Sequence, residues 1–316
     1  VGEPNKGLNA MFVMMNGARL GVGMQTLGLM EVAYQNSLAY ARERIQGRSL
    51  TGAKSPDKPA DNIMVHPDVR RMLLTQKAYT EGCRALSYYT AVLLDVAESH
   101  PDEQARKDAH QVVALLTPIV KAFITDNGFL TTNLAVQVLG GHGYIREWGL
   151  EQTVRDARIN MIYEGTNTIQ SLDLLGRKVL GDNGAALRKF GEQVRSLVED
   201  QGTREDMAEF INPLADLAGK VEKLTMEIGM KALSNADEAG AAAVDYLRVV
   251  GHLVLSYFWA RMAKLALEKQ DQEPFYKAKL STARFYFAKL QPETAMLIRT
   301  ARAGAKPLME MEADLF

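Results

Sequence analysis

The sequence has 316 residues, a formal net charge of −1, 47% hydrophobic residues and one cysteine. That length can bury one large core or two ordinary ones, and the balanced charge gives no electrostatic preference for nucleic acid or an anionic membrane. Cys83 has no partner for an internal disulfide, and no run approaches about 18 consecutive apolar residues. The expectation is therefore a soluble, cytoplasmic protein in a reducing compartment, with no membrane span.

The opening residues 1–7 are polar and turn-forming and read as a loop entered mid-protein, unlike a signal peptide. From Asn9 to about Gln46, Met11, Met14, Met15, Leu20, Met24, Leu27, Met30 and Leu38 recur mostly three or four apart, which predicts one long helix. Gly17, Gly21, Gly23 and Gly28 within it each cost up to about 1 kcal/mol against alanine, so close approach by another backbone or a ligand is expected there. Residues 51–62, rich in Pro, Lys and Asp, predict an exposed loop. Pro67 suits the start of a second helix reaching Ser99. A third is expected from Asp102 to Thr125, bent at Pro118, and a fourth from Gly128 to Leu139.

Gly140-Gly141-His142-Gly143 interrupts the pattern, and after a shorter helical piece Glu164-Gly165-Thr166 opens a helix to Leu180, stopped by residues 181–184. Further helices are predicted at 185–200, 212–235, 239–269, 274–290 and 292–303, with Pro213, Pro274 and Pro292 at helix starts. Strand-period runs with hairpin turns are missing. The expected fold is all-α: a helical bundle over 1–180 followed by a second helical unit over 185–316. Tyr257, Phe258, Trp259, Phe275, Tyr276, Phe285, Tyr286 and Phe287 are expected in the core or in subunit contacts. The five histidines, His66, His100, His110, His142 and His252, lack metal-ligand spacing, so no metal site is expected.

Residues 137–170 differ in style from the rest. Their glycine cluster permits positive φ, and either Asn167, paired with Gln170 as a capping box, or Thr166 can cap the following helix. Taken alone, Glu164 is a solvated residue favoured by the dipole of that helix. Its neighbours give it another meaning. Arg155-Asp156, Ile162-Tyr163-Glu164-Gly165-Thr166 and Ile169-Gln170 stand in one register. Upstream are Arg19, the helix exit Glu43-Arg44-Ile45-Gln46-Gly47, and Gln137-Val138-Leu139-Gly140-Gly141. Together these resemble the flavin-dependent acyl-CoA dehydrogenase family over residues 1 to about 180. Residues 185–316 resemble its longer subclass, which includes 3-methylmercaptopropionyl-CoA dehydrogenase and related fatty acyl-CoA dehydrogenases.

The resemblance implies FAD-dependent α,β-dehydrogenation of an acyl-CoA thioester, with Glu164 removing the α-proton and its backbone N–H polarising the thioester carbonyl. Some relatives carry the glutamate on the first helix, immediately before the arginine matched by Arg19; here that position is Ala18. Tyr163, Gly165 and Arg19 are the implied substrate contacts. Arg44, Gln137 and Gly141 are implied to reach the FAD of a second subunit, and Thr166 the FAD of its own. A homodimer or larger homo-oligomer follows, with an electron-transfer flavoprotein as electron acceptor. Thr168, Gln46 and Pro67 depart from the family's usual flavin neighbours. The family's N-terminal helical domain and middle β domain are not in this chain. Two other readings are an acyl-CoA oxidase, which passes electrons to oxygen, and a helical assembly module without chemistry.

Overall fold

The computed structural model describes residues 2–316, without the side chains of residues 9, 10, 12 and 13; Val1 of the expected opening loop lies outside the described residues. Helix α1 (Gly7–Glu43) is followed by a loop, then by α2 (Pro67–Ser99) and α3 (Glu103–Leu139). These long helices pack on one another, with α3 in the middle. The short α4 (Gly141–Tyr144) and α5 (Leu150–Asn160) bring the chain back along α3, and α6 (Asn167–Leu172) continues into a wider π-helical segment, Asp173–Leu180. The second half comprises α7 (Ala185–Gln201), α8 (Ala208–Ala232), α9 (Asp237–Lys269), α10 (Pro274–Phe285), α11 (Glu293–Arg302) and α12 (Lys306–Met309). Among the described residues there is no strand, only an isolated bridge between Ile45 and Asn62.

Helix α9 is to the second half what α3 is to the first. It packs on α8, α10 and α11, and also on α2, α3 and α6. The main hydrophobic core runs without a break from Leu27 and Met30 through Ile119 and Phe123 to Leu253, Trp259 and Leu297. A half-buried polar network built around buried His252 pins α11 to α9. His252 Nε2 and Arg248 Nε each lie 2.5 Å from Glu293 Oε1, while His252 Nδ1 is 3.0 Å from the Tyr286 hydroxyl. Burial pushes the His252 imidazole down from its ordinary value, against the pull of Glu293; burial also opposes ionisation of Glu293, but its bonds to His252 and Arg248 win and hold the carboxyl at about 2.

Several local expectations need correction. The predicted third and fourth helices are one, because α3 runs through both Pro118 and Gly128. Gly128 is required there by α1: a Cβ at that position would lie 2.1 Å from Thr26 Cγ2. Of the four α1 glycines, Gly23 meets another backbone, at Val120 of α3, whereas Gly17, Gly21 and Gly28 face open space. Pro213 lies inside α8, whose first turns begin earlier than expected.

The loop over 51–62 is exposed but not shapeless. Buried Asp61 accepts from the backbone N–H groups of Ser49, Lys54 and Ser55 at 2.8–2.9 Å and from Arg48 at 3.3 Å. The Ser49 bond foremost, with the others, holds its carboxyl at about 2 against the opposing effect of burial.

Most of the aromatic residues behave as expected, with Tyr257, Phe258, Trp259, Tyr286 and Phe287 in the core, although Phe275 is exposed. By length and composition α3 could cross a membrane, yet 83% of its apolar window is buried inside this protein. It is a core helix. Among the described residues no group of three or more His, Cys, Asp or Glu side chains is placed to hold a metal ion.

Candidate active site

The turn between α5 and α6 carries Glu164. Glu164 and Gly165 are both left-handed, with φ of 57° and 82°. Glycine suits the second position doubly, since a Cβ there would fall 2.7 Å from Gln170 Nε2. A glutamate in this region costs about 1 kcal/mol or more, and such strain persists only where neighbours enforce it. Here they do. The Gln170 amide, fully buried, donates to the carbonyls of Glu164 and Gly165 at 3.4 and 3.3 Å. The Tyr163 hydroxyl donates to Gln25 of α1, and the Asn167 N–H to Met161 O at 3.1 Å.

Thr166, not Asn167, caps α6, its hydroxyl accepting the Ile169 N–H at 3.3 Å. Asn167 is otherwise engaged. Its Oδ1 accepts from Lys121 Nζ at 2.8 Å, and its Nδ2 donates to Asp126 at 2.6 Å and Thr125 at 2.9 Å. Lys121 is completely buried in α3. Burial, helped by Arg19, pulls its ammonium down to about 8, while Asp126 and Glu164 oppose that shift. Arg19, 6% exposed, pairs with buried Asp173 at 3.2 Å where the π-helical segment begins. Both line a cavity of about 70 Å³ with Asn16, His110, Thr117 and Lys178.

Within this group, Glu164 is half-buried and one of its carboxylate oxygens, Oε2, is buried without a hydrogen-bond partner among the described residues. Its backbone N–H likewise has no acceptor in the chain among those residues. A carboxylate in that state is a ready proton acceptor, and the N–H beside it a ready donor to an oxyanion.

Sequence reasoning named Tyr163, Glu164, Gly165, Thr166 and Arg19, and these lie on this turn or on the α1 and α3 surfaces that support it. Arg44, Gln137 and Gly141 do not. Arg44 follows the last residue of α1, twenty-five residues from Arg19, or roughly 37 Å of helix. All three are exposed, Arg44 donates to Gln46 at 3.1 Å, and a Cβ on Gly141 would meet nothing within 4 Å. Near them Tyr40 bonds His142 at 3.0 Å, and His142 stacks on Trp148. Lys121, Asn167 and Asp173 were missed. The one sequence signal was a lysine embedded in the apolar run Pro118-Ile119-Val120-Lys121-Ala122-Phe123.

Residues 5–180 match the model of the acyl-CoA dehydrogenase C-terminal domain, and residues 190–312 that of the acetyl-CoA dehydrogenase C-terminal-like family. The chain belongs to the acyl-CoA dehydrogenase family. It is 40% identical to 3-methylmercaptopropionyl-CoA dehydrogenase of Ruegeria pomeroyi over 90% of this chain and 49% of that protein. It is 33% identical to a broad-specificity linear acyl-CoA dehydrogenase of Mycobacterium tuberculosis over 100% of this chain and 54% of the relative. The chain thus spans about half the length of the curated relatives it matches. An acyl-CoA dehydrogenase of Bacillus anthracis, solved with FAD, shares the fold at a TM-score of 0.76 and 22% identity, over 99% of this chain and 52% of that one. The acyl-CoA dehydrogenase fold therefore accounts for the helical arrangement of both halves.

Proposed function

We propose that the protein to which this chain contributes is an acyl-CoA dehydrogenase that forms a double bond between Cα and Cβ of an acyl-CoA thioester, with Glu164 as the base. The observation that carries this reading is the Glu164 turn: a carboxylate held in a strained backbone conformation, with a buried free oxygen and an unshared N–H beside it. Family membership supplies the reaction class. The carboxylate accepts the α-proton, its own N–H stabilises the negative charge that builds on the thioester oxygen, and Tyr163 and Arg19 border the acyl group. FAD, when bound, takes the β-hydride.

Residues suited to FAD are present. Exposed Arg44 has a guanidinium fit for phosphate oxygens, and Gly141 leaves its backbone open to close approach. They lie apart from the Glu164 turn, which meets α1 at Gln25, so we assign them, as the family resemblance implies, to the cofactor of a second copy, while Thr166 serves that of its own. A homodimer is the smallest assembly that satisfies both. Exposed Tyr144, Ile145, Trp148, Ile162, Ile169 and Leu172 supply apolar surface for that copy or for the rest of the parent protein. The proposed division into a dehydrogenase domain at 1–180 and an added helical domain at 185–316 follows the two family-model matches; the core nevertheless crosses it.

Anaerobic mixing of the parent protein with a saturated acyl-CoA tests the reaction. Flavin bleaching with formation of the 2-enoyl-CoA is expected, followed by fast reoxidation with an electron-transfer flavoprotein and slow reoxidation with oxygen. Fast reoxidation by oxygen would make it an oxidase, and no bleaching with any acyl-CoA would overturn the reading.

A further inference from the structure

We infer that Lys121 is a positioning residue of the reaction: its buried ammonium fastens Asn167, the residue that closes the Glu164 turn, and supplies positive charge to the carboxylate. The inference rests on the reading of Glu164 as the base. It begins from cost. Lys121 is 0% exposed, flanked in α3 by fully buried Ile119, Val120, Ala122, Phe123 and Ile124, where a methionine or leucine would fill the space without desolvating an ion. A charge kept there has work to do.

Its hydrogen bond goes to Asn167 Oδ1 at 2.8 Å. Asn167 has no capping duty, since Thr166 performs it, and its remaining bonds run to Asp126, Thr125, Ala122 O and Met161 O. The Asn167 backbone N–H thus closes the 161–167 turn on Met161 O, and its side chain ties the end of that turn to a single stretch of α3. The left-handed backbone at Glu164 is then enforced from two sides, by Gln170 on α6 and by Lys121 through Asn167.

The charges around Lys121 make the second half of the argument. Facing it are Asp126 on α3, Arg19 on α1 and Glu164 on the turn; beyond Asp126 stand Arg248 on α9 and Arg158 on α5, and Arg19 is itself matched by Asp173. Removing the ammonium takes one positive charge from the neighbourhood of Asp126 and Glu164. Protonation of Glu164 then becomes easier, which moves the acid limb of the reaction upward.

The test is stopped-flow flavin reduction of the parent flavoprotein by saturating acyl-CoA between pH 5.5 and 9.5, for wild type, Lys121→Met and Lys121→Arg. Lys121→Met is expected to move the acid limb of the profile upward by about half to one pH unit and to lower the plateau roughly tenfold, with acyl-CoA affinity changed less than about threefold. Lys121→Arg, which keeps the charge, should restore the acid limb. An unmoved acid limb in folded, FAD-loaded Lys121→Met overturns the inference. So does a plateau in that variant within about twofold of wild type. If Glu164→Gln is inert while Lys121→Met keeps the wild-type profile, this inference alone fails; if Glu164→Gln reduces flavin normally, the base assignment itself fails.

Discussion

Arg44 and Glu164 are both charged side chains in family motifs, yet their surroundings assign them different kinds of work. Arg44 is exposed at the end of α1 with only Gln46 as a partner, a placement suited to grasping phosphate and remote from any bond being broken. Arg44→Ala in the parent protein should therefore weaken FAD retention at least about tenfold, and added FAD should recover most of the activity, read by flavin fluorescence on dilution and by assay with and without FAD. Unchanged retention would remove Arg44 from the cofactor contacts. At this scale the sequence was readable wherever a motif carried the residue. Glu164, Tyr163, Gly165 and Arg19 were proposed from family motifs. Lys121 and Asp173 were not, because their significance comes from partners 46 and 154 residues away, Asn167 and Arg19, that no local spacing brings together.

Helices α1 and α3 meet closely enough that single methyl groups decide their fit. Gly128→Ala places a Cβ 2.1 Å from Thr26 Cγ2, and Thr26 also accepts a bond from Asn160 of α5 at 2.8 Å, so the neighbour cannot yield freely. Overpacking of about 1–3 kcal/mol should outweigh the gain of up to about 1 kcal/mol in helix propensity. Gly28→Ala, facing open space on α1, should keep that gain. Urea denaturation of the two variants of this chain should move in opposite directions; destabilisation by both, or by neither, would contradict the packing account. Apolar periodicity located nearly all the helices but not their continuity. Pro118 and Gly128 read as breaks because they disfavour helix locally, and α3 overrides them through tertiary contact. The π-helical turn at 173–180 was also invisible, since its register is set by packing and by the Arg19–Asp173 pair rather than by any residue pattern.

Across the whole molecule one hydrophobic core joins α1 to α11, and the half-buried Arg248–His252–Glu293 network fastens the second half within itself, while Arg248 also donates to Asn127 of α3. The second half thus braces the back of α3 and α6, the elements that hold the Glu164 turn. Arg44 follows the C-terminal end of α1, whereas the Glu164 turn meets that helix near its middle, through Tyr163 and Gln25. The all-α class and the family were legible from the sequence; the single core that joins the two halves needed the structure.

The central claim is that the Glu164 carboxylate takes the α-proton. Glu164→Gln keeps the side-chain shape and removes the base, so the parent protein should still fold, bind FAD and bind acyl-CoA. Substrate-dependent flavin bleaching, followed anaerobically by stopped-flow absorbance, should fall at least about a hundredfold. Bleaching within a few-fold of wild type in that variant would contradict the account.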